Sequence, residues 1–594
     1  MRRSKAVSAW ALVAGTALLV SACGGGDSSE DPNTGSSADV KSMATGKAES
    51  GDNYKLAEAE ASDQVIVGID EGFSSYNNDE VSANSSYNTY VLTSVLSGAD
   101  VLNGNNKVLL NNDVLESWTV TSSDPQVVEW KIKPNVKWSD GEAWDCDDFY
   151  LAWLSHSEKA KGPDGEAVFK NASPAGYQLV DAPTCKDDLT FEAKFSEPYL
   201  DYKGMFSSTA MLPAHVLEKN TGVADITKVT PTSPEVAQIS EFWNNKWKGF
   251  NAELMPSSGP YKITAFDENS QTVTLEKNPN WVGAKGGPNK IIVRPIPDTK
   301  AMATALQNGE IDVAASTQPD ATAANTIKGL SSQGVTYGSA SQLTFEHLDL
   351  NFNRMFADKD LRKAFFETVD RQEVVDKLLK EVQADAQPLN SIVFFPGEEG
   401  FEDQYSQKAG LGPEAAAKTL EAAGWVKGGD GIFAKDGKRA SATITHNENA
   451  RRSQTVEIII AQAAKAGIEI KDETDANFLK GRLDKGDYDI ALFGWSAAPF
   501  KAEQPSIYIT GGGQNYQGLT DPRIDQAFKA ATSATDEAAA TKSYAEADKA
   551  IAENYATLPL FQTPSMWGFR GIDRVYMQSY NGALWNAGEW KKTE

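Results

Sequence analysis

The stretch IIVRPIPDTKAMATALQNGEIDV, residues 291–313, decides the fold class of the region around it. Ile291-Ile292-Val293 is a short apolar run that suits a buried strand. Residues 299–308 follow as a helix, and Gly309 stands where a helix C-cap takes a left-handed residue. Ile311-Asp312-Val313 then opens another strand. Strand, helix and strand in this order predict an α/β lobe.

The same pattern recurs downstream. Residues 442–445 form a strand, residues 452–466 a helix closed by Gly467, and residues 468–470 and 489–493 two further strands. This second run predicts a distinct lobe. Between the two lie a strand at 348–353 and helices at 359–367, 371–382 and 413–423, the last opening on Pro413 at its first position. A long Ala-rich helix spans 535–553, and strand material at 557–570 is expected to return to the first lobe. On the N-terminal side, residues 261–263 and 272–275 form a hairpin around Asp267-Glu268-Asn269. Gln64 to Ile69 is an apolar strand and residues 85–96 a helix. Residues 127–132 and 190–195 are strands, and the helix at 147–154 carries its acids in the first turn, where the helix dipole favours them.

The extreme N-terminus has another logic. Arg2, Arg3 and Lys5 precede an apolar run, residues 6–20, and then Val20-Ser21-Ala22-Cys23. Basic, apolar and small residues in that order form a secretory signal, and the run falls short of the roughly 20 residues a bilayer span requires. VSAC resembles the bacterial lipobox, which implies a signal peptide over 1–22 and a lipid on Cys23. Residues 23–61, rich in Gly, Ser, Asp, Glu and Ala, are expected to be a flexible tether.

Composition bounds the function. A chain of 594 residues exceeds what one core usually serves. A formal charge of −26 repels nucleic acid phosphates and anionic headgroups, so no nucleic acid partner is expected and anchoring falls to lipid. With 14 Trp, 18 Tyr and 24 Phe the chain can line a cleft with aromatic rings. Cys146 and Cys185 remain after Cys23, and an oxidising compartment favours a bridge between them. The three cysteines and four histidines give no spaced metal cluster, so neither metal nor cofactor is expected. Abundant carboxylates alone do not make a glycosidase. Nucleophile-elbow, zinc-protease and phosphate-loop motifs are lacking, and no enzyme is predicted.

A series of motifs carries a resemblance. Leu115-Glu116-Ser117-Trp118 leads to Ile132-Lys133-Pro134-Asn135-Val136-Lys137-Trp138-Ser139-Asp140-Gly141 and to Asp147-Asp148-Phe149. Gly259-Pro260-Tyr261, Leu275-Glu276-Lys277-Asn278-Pro279, Gly309-Glu310-Ile311-Asp312, Asn351-Phe352-Asn353 and Leu558-Pro559-Leu560-Phe561 continue it. The chain resembles the extracytoplasmic solute-binding proteins of ABC importers, in the oligopeptide-, dipeptide- and nickel-binding family. The resemblance implies a two-lobed periplasmic-binding-protein-like α/β fold of type II, in the large cluster C form. Lobe 1 would span 62–345, with an extra subdomain at about 83–256. Lobe 2 would span 346–545, and 546–594 would return to lobe 1. Hinges are expected near 340–350 and 515–550. The implied partners are a permease, an ATPase, membrane lipid through Cys23, and a solute bound at the outer face of the cell membrane.

Trp138 with its Ser-Asp-Gly turn is expected to be structural. The solute site is sought at strand ends facing the other lobe: Phe73, Ser74, Tyr76 and Asn77 after the first strand, Trp495 in lobe 2, Asn515 and Tyr516 beyond it, and His347 near the hinge. Peptide binders of the resembled family carry an acid just after the Gly-Trp pair, and here Ala497 and Ala498 stand there. Three alternatives stay open: a peptide's amino terminus is met elsewhere, for example by Glu71, Asp79 or Glu503; the peptide binds in a shifted frame; or the solute lacks an ammonium. Oligopeptides are the expected solute. The alternative is a non-peptide such as an oligosaccharide or glycosylated compound.

Overall fold

In the computed structural model, which describes residues 40–174 and 176–593, the quoted unit forms helix Thr299–Asn308 between strands Gly287–Pro295 and Val313–Ser316. Asp298 caps the helix by accepting from Ala301 N–H at 2.7 Å, and Gly309 ends it at φ 74°. The two strands are not neighbours. Ala61–Ile69 lies between them, parallel to both. The hairpin Tyr261–Asp267 and Thr272–Lys277 extends this edge.

Among the described residues the largest sheet has ten strands and runs through both lobes. Its lobe 2 end holds Ser441–His446, with Glu469–Thr474 and Ile490–Ser496 parallel to it on either side. Helix Ala450–Ala466 covers that end, burying Val456, Ile459, Ala463 and Ala466 at helical spacing. Two long antiparallel strands, Val335–Leu350 and Thr557–Arg570, join the halves. Their ladder is interrupted between Ser341 and Phe345. There side chains take over: Gln342 donates to the carbonyls of Thr317 (2.9 Å) and Pro564 (2.8 Å), and Gln562 donates to that of Gln342 (2.7 Å).

Several boundaries differ from the sequence expectation. The strand expected at 348–353 is the tail of Val335–Leu350, whose first half is too polar and glycine-bearing to stand out. The helix expected to reach 382 stops at Leu378. Helix Glu537–Asn554 packs wholly in lobe 2 through Ala540, Tyr544, Ala547 and Ile551. Leu558, Leu560 and Phe561 also belong to lobe 2's core, so the chain returns to lobe 1 after Phe561 and not at 546. The second crossing is accordingly near Gln562, not at 515–550. The expected tether needs a larger correction from residue 40 onward. Val40, Ala44, Tyr54 and Leu56 are buried, and Asn53–Tyr54 pairs with Val108–Asn111. A few apolar residues fastened to lobe 1 outweigh the polar composition around them. Residues 1–22 and Cys23 lie outside the described residues.

A separate four-stranded sheet, in the order Leu115–Ser123, Gln126–Ile132, Thr190–Lys194, Thr184–Asp187, packs with helix Cys146–His156. It shares one apolar core with lobe 1. Trp138 is fully enclosed and donates to Asp148 at 3.0 Å, as a packing element does. Cys146 and Cys185 form a disulfide across a Cα–Cα distance of 5.9 Å. Closing a loop of 39 residues stabilises the folded state by roughly 3–4 kcal/mol on the chain-entropy account. Replacing both cysteines by alanine is expected to lower the unfolding free energy by that order in a denaturant titration, with neither thiol alkylated in the native, unreduced parent.

Candidate ligand-binding site

The lobe 2 side of the site grows from strand Ile490–Ser496, paired antiparallel with Val335–Leu350. Residues two apart on a strand share a face, so Phe493 and Trp495 meet, at 5.2 Å between rings. Trp495 also lies nearly parallel to Tyr516, with centroids 6.0 Å apart and planes within 10°. Its indole lines a cavity of about 130 Å³ together with Phe345, Ser496, Phe500 and Glu503.

Beyond Ser496 the chain leaves the sheet and runs against lobe 1. Asp201 accepts from Lys501 N–H at 3.1 Å and Ala502 N–H at 2.9 Å. Burial raises the Asp201 carboxyl, and these two donors together with Lys501 oppose the shift. The Phe500 ring lies on Gly204, where any Cβ would overlap it. Ser173 donates to Glu503 at 3.2 Å, and Lys203 pairs with Glu537 at 2.6 Å. These contacts close the cleft.

The closure leaves a cavity of about 350 Å³ between lobe 1 and this loop. Tyr54, Asp113, Trp281 and Trp585 line its lobe 1 side, and Ala498, Phe500 and Glu503 its lobe 2 side. Five carboxylates border it, those of Asp79, Asp100, Asp113, Asp201 and Glu503, and among the described residues no lysine or arginine does. His156 faces Asp79 at 3.1 Å. Burial pushes the Asp100 carboxyl up to about 7. Asp113 is also raised by burial, against the opposing pull of Leu56 N–H, Lys55 and Lys133. Such a lining attracts cations and disfavours anions. A larger groove of about 620 Å³ lies on the other side of the same loop, and Phe500 borders all three spaces.

The structure brings together only part of the expected set. Trp495 and Tyr516 stack as described. His347 is 1% exposed, enclosed behind Trp495 at 6.3 Å between rings. Asn515 spends its side chain inside its own loop, donating to the Ile509 and Leu519 carbonyls at 2.8 and 2.7 Å. Phe73, Tyr76 and Asn77 are corrected outright, being fully enclosed in lobe 1. Phe73 packs edge-on against Phe266, Tyr76 donates to the Pro256 carbonyl, and Asn77 donates to that of Trp243. Ser74 is exposed, with its N–H turned to Asn88 at 2.7 Å. None of these four is among the residues lining the interlobe cavity. Asp100, Asp113 and Tyr54 were not anticipated. The signal for Tyr54 was present in the Tyr54–Leu56 alternation but was submerged in a polar segment.

Two lobes joined by paired crossing strands, closing over an internal cavity, define the class of bilobed α/β solute-binding proteins. The profile of the bacterial extracellular solute-binding proteins, family 5, matches residues 110–517, and the chain belongs to that family. The oligopeptide-binding protein OppA of Mycobacterium tuberculosis is 27% identical over 500 residues, covering 82% of this chain and 76% of that protein. Among solved structures, the periplasmic EDTA-binding protein EppA superposes with a TM-score of 0.78 at 24% identity, covering 92% of this chain and 100% of that one. The oligopeptide-binding protein AppA of Bacillus subtilis, in complex with a nonapeptide, gives 0.65 at 22% identity, covering 91% and 100%. The chain is an extracytoplasmic solute-binding protein of an ABC importer and not an enzyme.

Gly204 offers a direct check on the closure. Gly204→Val is expected to displace Phe500 and open the cleft, seen as a larger radius of gyration in small-angle scattering. An unchanged radius would show that the contact does not hold the lobes together.

Proposed function

We propose that the protein captures oligopeptides outside the cytoplasmic membrane and delivers them to the permease and ATPase subunits of its importer. The observation that carries this reading is the closed, acid-lined cavity between the lobes. A peptide brings a cationic amino terminus, and an unpaired buried ammonium costs several kcal/mol. Glu503 and Asp79 supply carboxylates from opposite lobes, which compensates for alanine at 497 and 498. The names of OppA and of the AppA complex point to the same solute class. A polyanionic chelate of the kind named for EppA would meet five carboxylates instead. The Trp495–Tyr516 stack also suits a sugar face, which keeps an oligosaccharide as the second reading. The fold is taken as the type II, cluster C form with its extra subdomain at about 83–256.

Calorimetry with short peptides and their N-acetylated counterparts tests the solute. Acetylation is expected to weaken binding by about tenfold or more, the equivalent of 1.4 kcal/mol or more. Equal affinities would remove the ammonium anchor, and binding of oligosaccharides but of no peptide would overturn the assignment.

The reading extends to a lipid on Cys23 that holds the protein at the membrane. Cys23→Ser is expected to release it into the medium or stall its processing. A salt-washed membrane fraction that retains the unlipidated variant would contradict the anchor.

A further inference from the structure

Among the described residues, the cavity of about 130 Å³ beside Trp495 is lined by lobe 2 and the crossing strand Val335–Leu350 alone. Phe345, Ile392 and Tyr508 form its buried floor. Tyr508 stacks on Phe528 with planes within 7°, and Phe345 packs edge-on against Phe395, so the core of lobe 2 fixes that floor. Trp495, Ala497 and Ile507 are half-buried and supply walls. The loop after Ala497 touches lobe 1 but is fastened to lobe 2. Lys501 Nζ donates to Glu398 at 2.7 Å and to the Val393 carbonyl at 3.2 Å, and Gln504 Nε2 donates to the same carbonyl at 3.1 Å. The pocket thus belongs to one lobe.

Its polar side chains are already engaged. Ser496 pairs with Thr344 at 3.0 Å, Glu503 accepts from Ser173 at 3.2 Å, and Gln514 Oε1 accepts from Ser506 at 2.9 Å. Gln504 Oε1 lacks a partner, but it is enclosed and offers almost no surface. What the walls chiefly present is aromatic and aliphatic. Such a space rewards an apolar group that leaves water and penalises a polar group that arrives without a partner. An apolar cavity of about 150 Å³ holds a benzene ring, so this one admits a side chain the size of leucine or phenylalanine.

The pocket also adjoins the interlobe cavity. Ala498, Phe500 and Glu503 border both spaces. A solute lying in the larger cavity can therefore turn one side chain into the smaller one. The methyl group of Ala497 leaves that room free, and a longer side chain there would take it up. We propose that this pocket is a subsite for an apolar side chain of the solute, of leucine or phenylalanine size, with Ala497 and Ile507 as specificity-determining residues. The inference rests on the interlobe cavity being a peptide site, and it narrows the solute to peptides that carry such a residue.

The test is calorimetry on the full secreted chain with Leu-Gly-Gly, Gly-Leu-Gly and Gly-Gly-Leu, each against the same peptide with asparagine in place of leucine. Asparagine has nearly the shape of leucine but a polar end that loses its water. In at least one position leucine is expected to bind about tenfold or more tightly than asparagine. Ala497→Leu fills the pocket and Ile507→Asn makes its wall polar. Each is expected to cut that ratio by about fivefold or more, with the asparagine peptide held within about twofold. General damage to the lobe would weaken both peptides alike and leave the ratio standing. Equal binding of leucine and asparagine at all three positions, or a ratio unchanged in both variants, would overturn the subsite while keeping the peptide reading. If no peptide binds, toluene is the probe. A saturable rise in melting temperature that Ala497→Leu removes would keep the subsite and end the peptide reading, and no rise would end both.

Discussion

The pairing of Val335–Leu350 with Thr557–Arg570 is the constraint on which the rest of the molecule depends. Among the described residues these two strands alone belong to the cores of both halves, and every other main-sheet strand lies to one side of them. Backbone hydrogen bonds hold the pair at both ends, but between Ser341 and Phe345 the regular ladder gives way to bonds from glutamine side chains. A side-chain bond tolerates rotation that a ladder does not. The discontinuity lies where the sheet passes between the lobes, the place a hinge would use. The sheet is both the spine of the fold and its joint.

What closes over the joint is shaped by charge. Carboxylates beneath a closed loop are expensive when nothing balances them, and the cavity wall holds five with one histidine nearby. The pairing of Asp201 with two backbone N–H groups shows how such a group is made tolerable within the protein. Asp100 and Asp113 are not compensated to the same degree.

Regular elements were legible in the sequence because their signals are local. Asp298 and Gly309 bracket a helix within a dozen residues, and the Val456–Ala466 periodicity identifies a buried face without reference to anything distant. The motifs around Trp138 and Asp148 were legible for the same reason. The site was not. Trp495 was proposed from the family resemblance, in which the matching stretch lines the cleft, and not from a local signal. Phe73, Tyr76 and Asn77 follow a strand just as plausibly, yet they point into lobe 1, since the side on which a loop folds is set by residues such as Pro256 and Trp243, far away in sequence. Tyr54 reaches the interlobe cavity only through the pairing of its strand with Val108–Asn111, far away in sequence. The crossing at Gln562 was misplaced because a helix and the strand after it look alike whether they belong to one lobe or to the next.

The segment from residue 40 to Leu56 packs mainly on lobe 1, with one ion pair, Lys41 to Asp385, reaching beyond it. Glu589 accepts from Lys47 N–H and Ala57 N–H, both at 3.2 Å, and Asn103 donates to Glu49 at 3.0 Å, so this stretch is fastened to lobe 1 at several points. Under the proposed lipid anchor on Cys23, a chain held by its N-terminus would be held chiefly through lobe 1, and lobe 1 would be the stator. Opening and closing would then swing lobe 2 as the rotor, carrying Trp495 and Phe500 toward and away from a floor fixed with respect to the membrane.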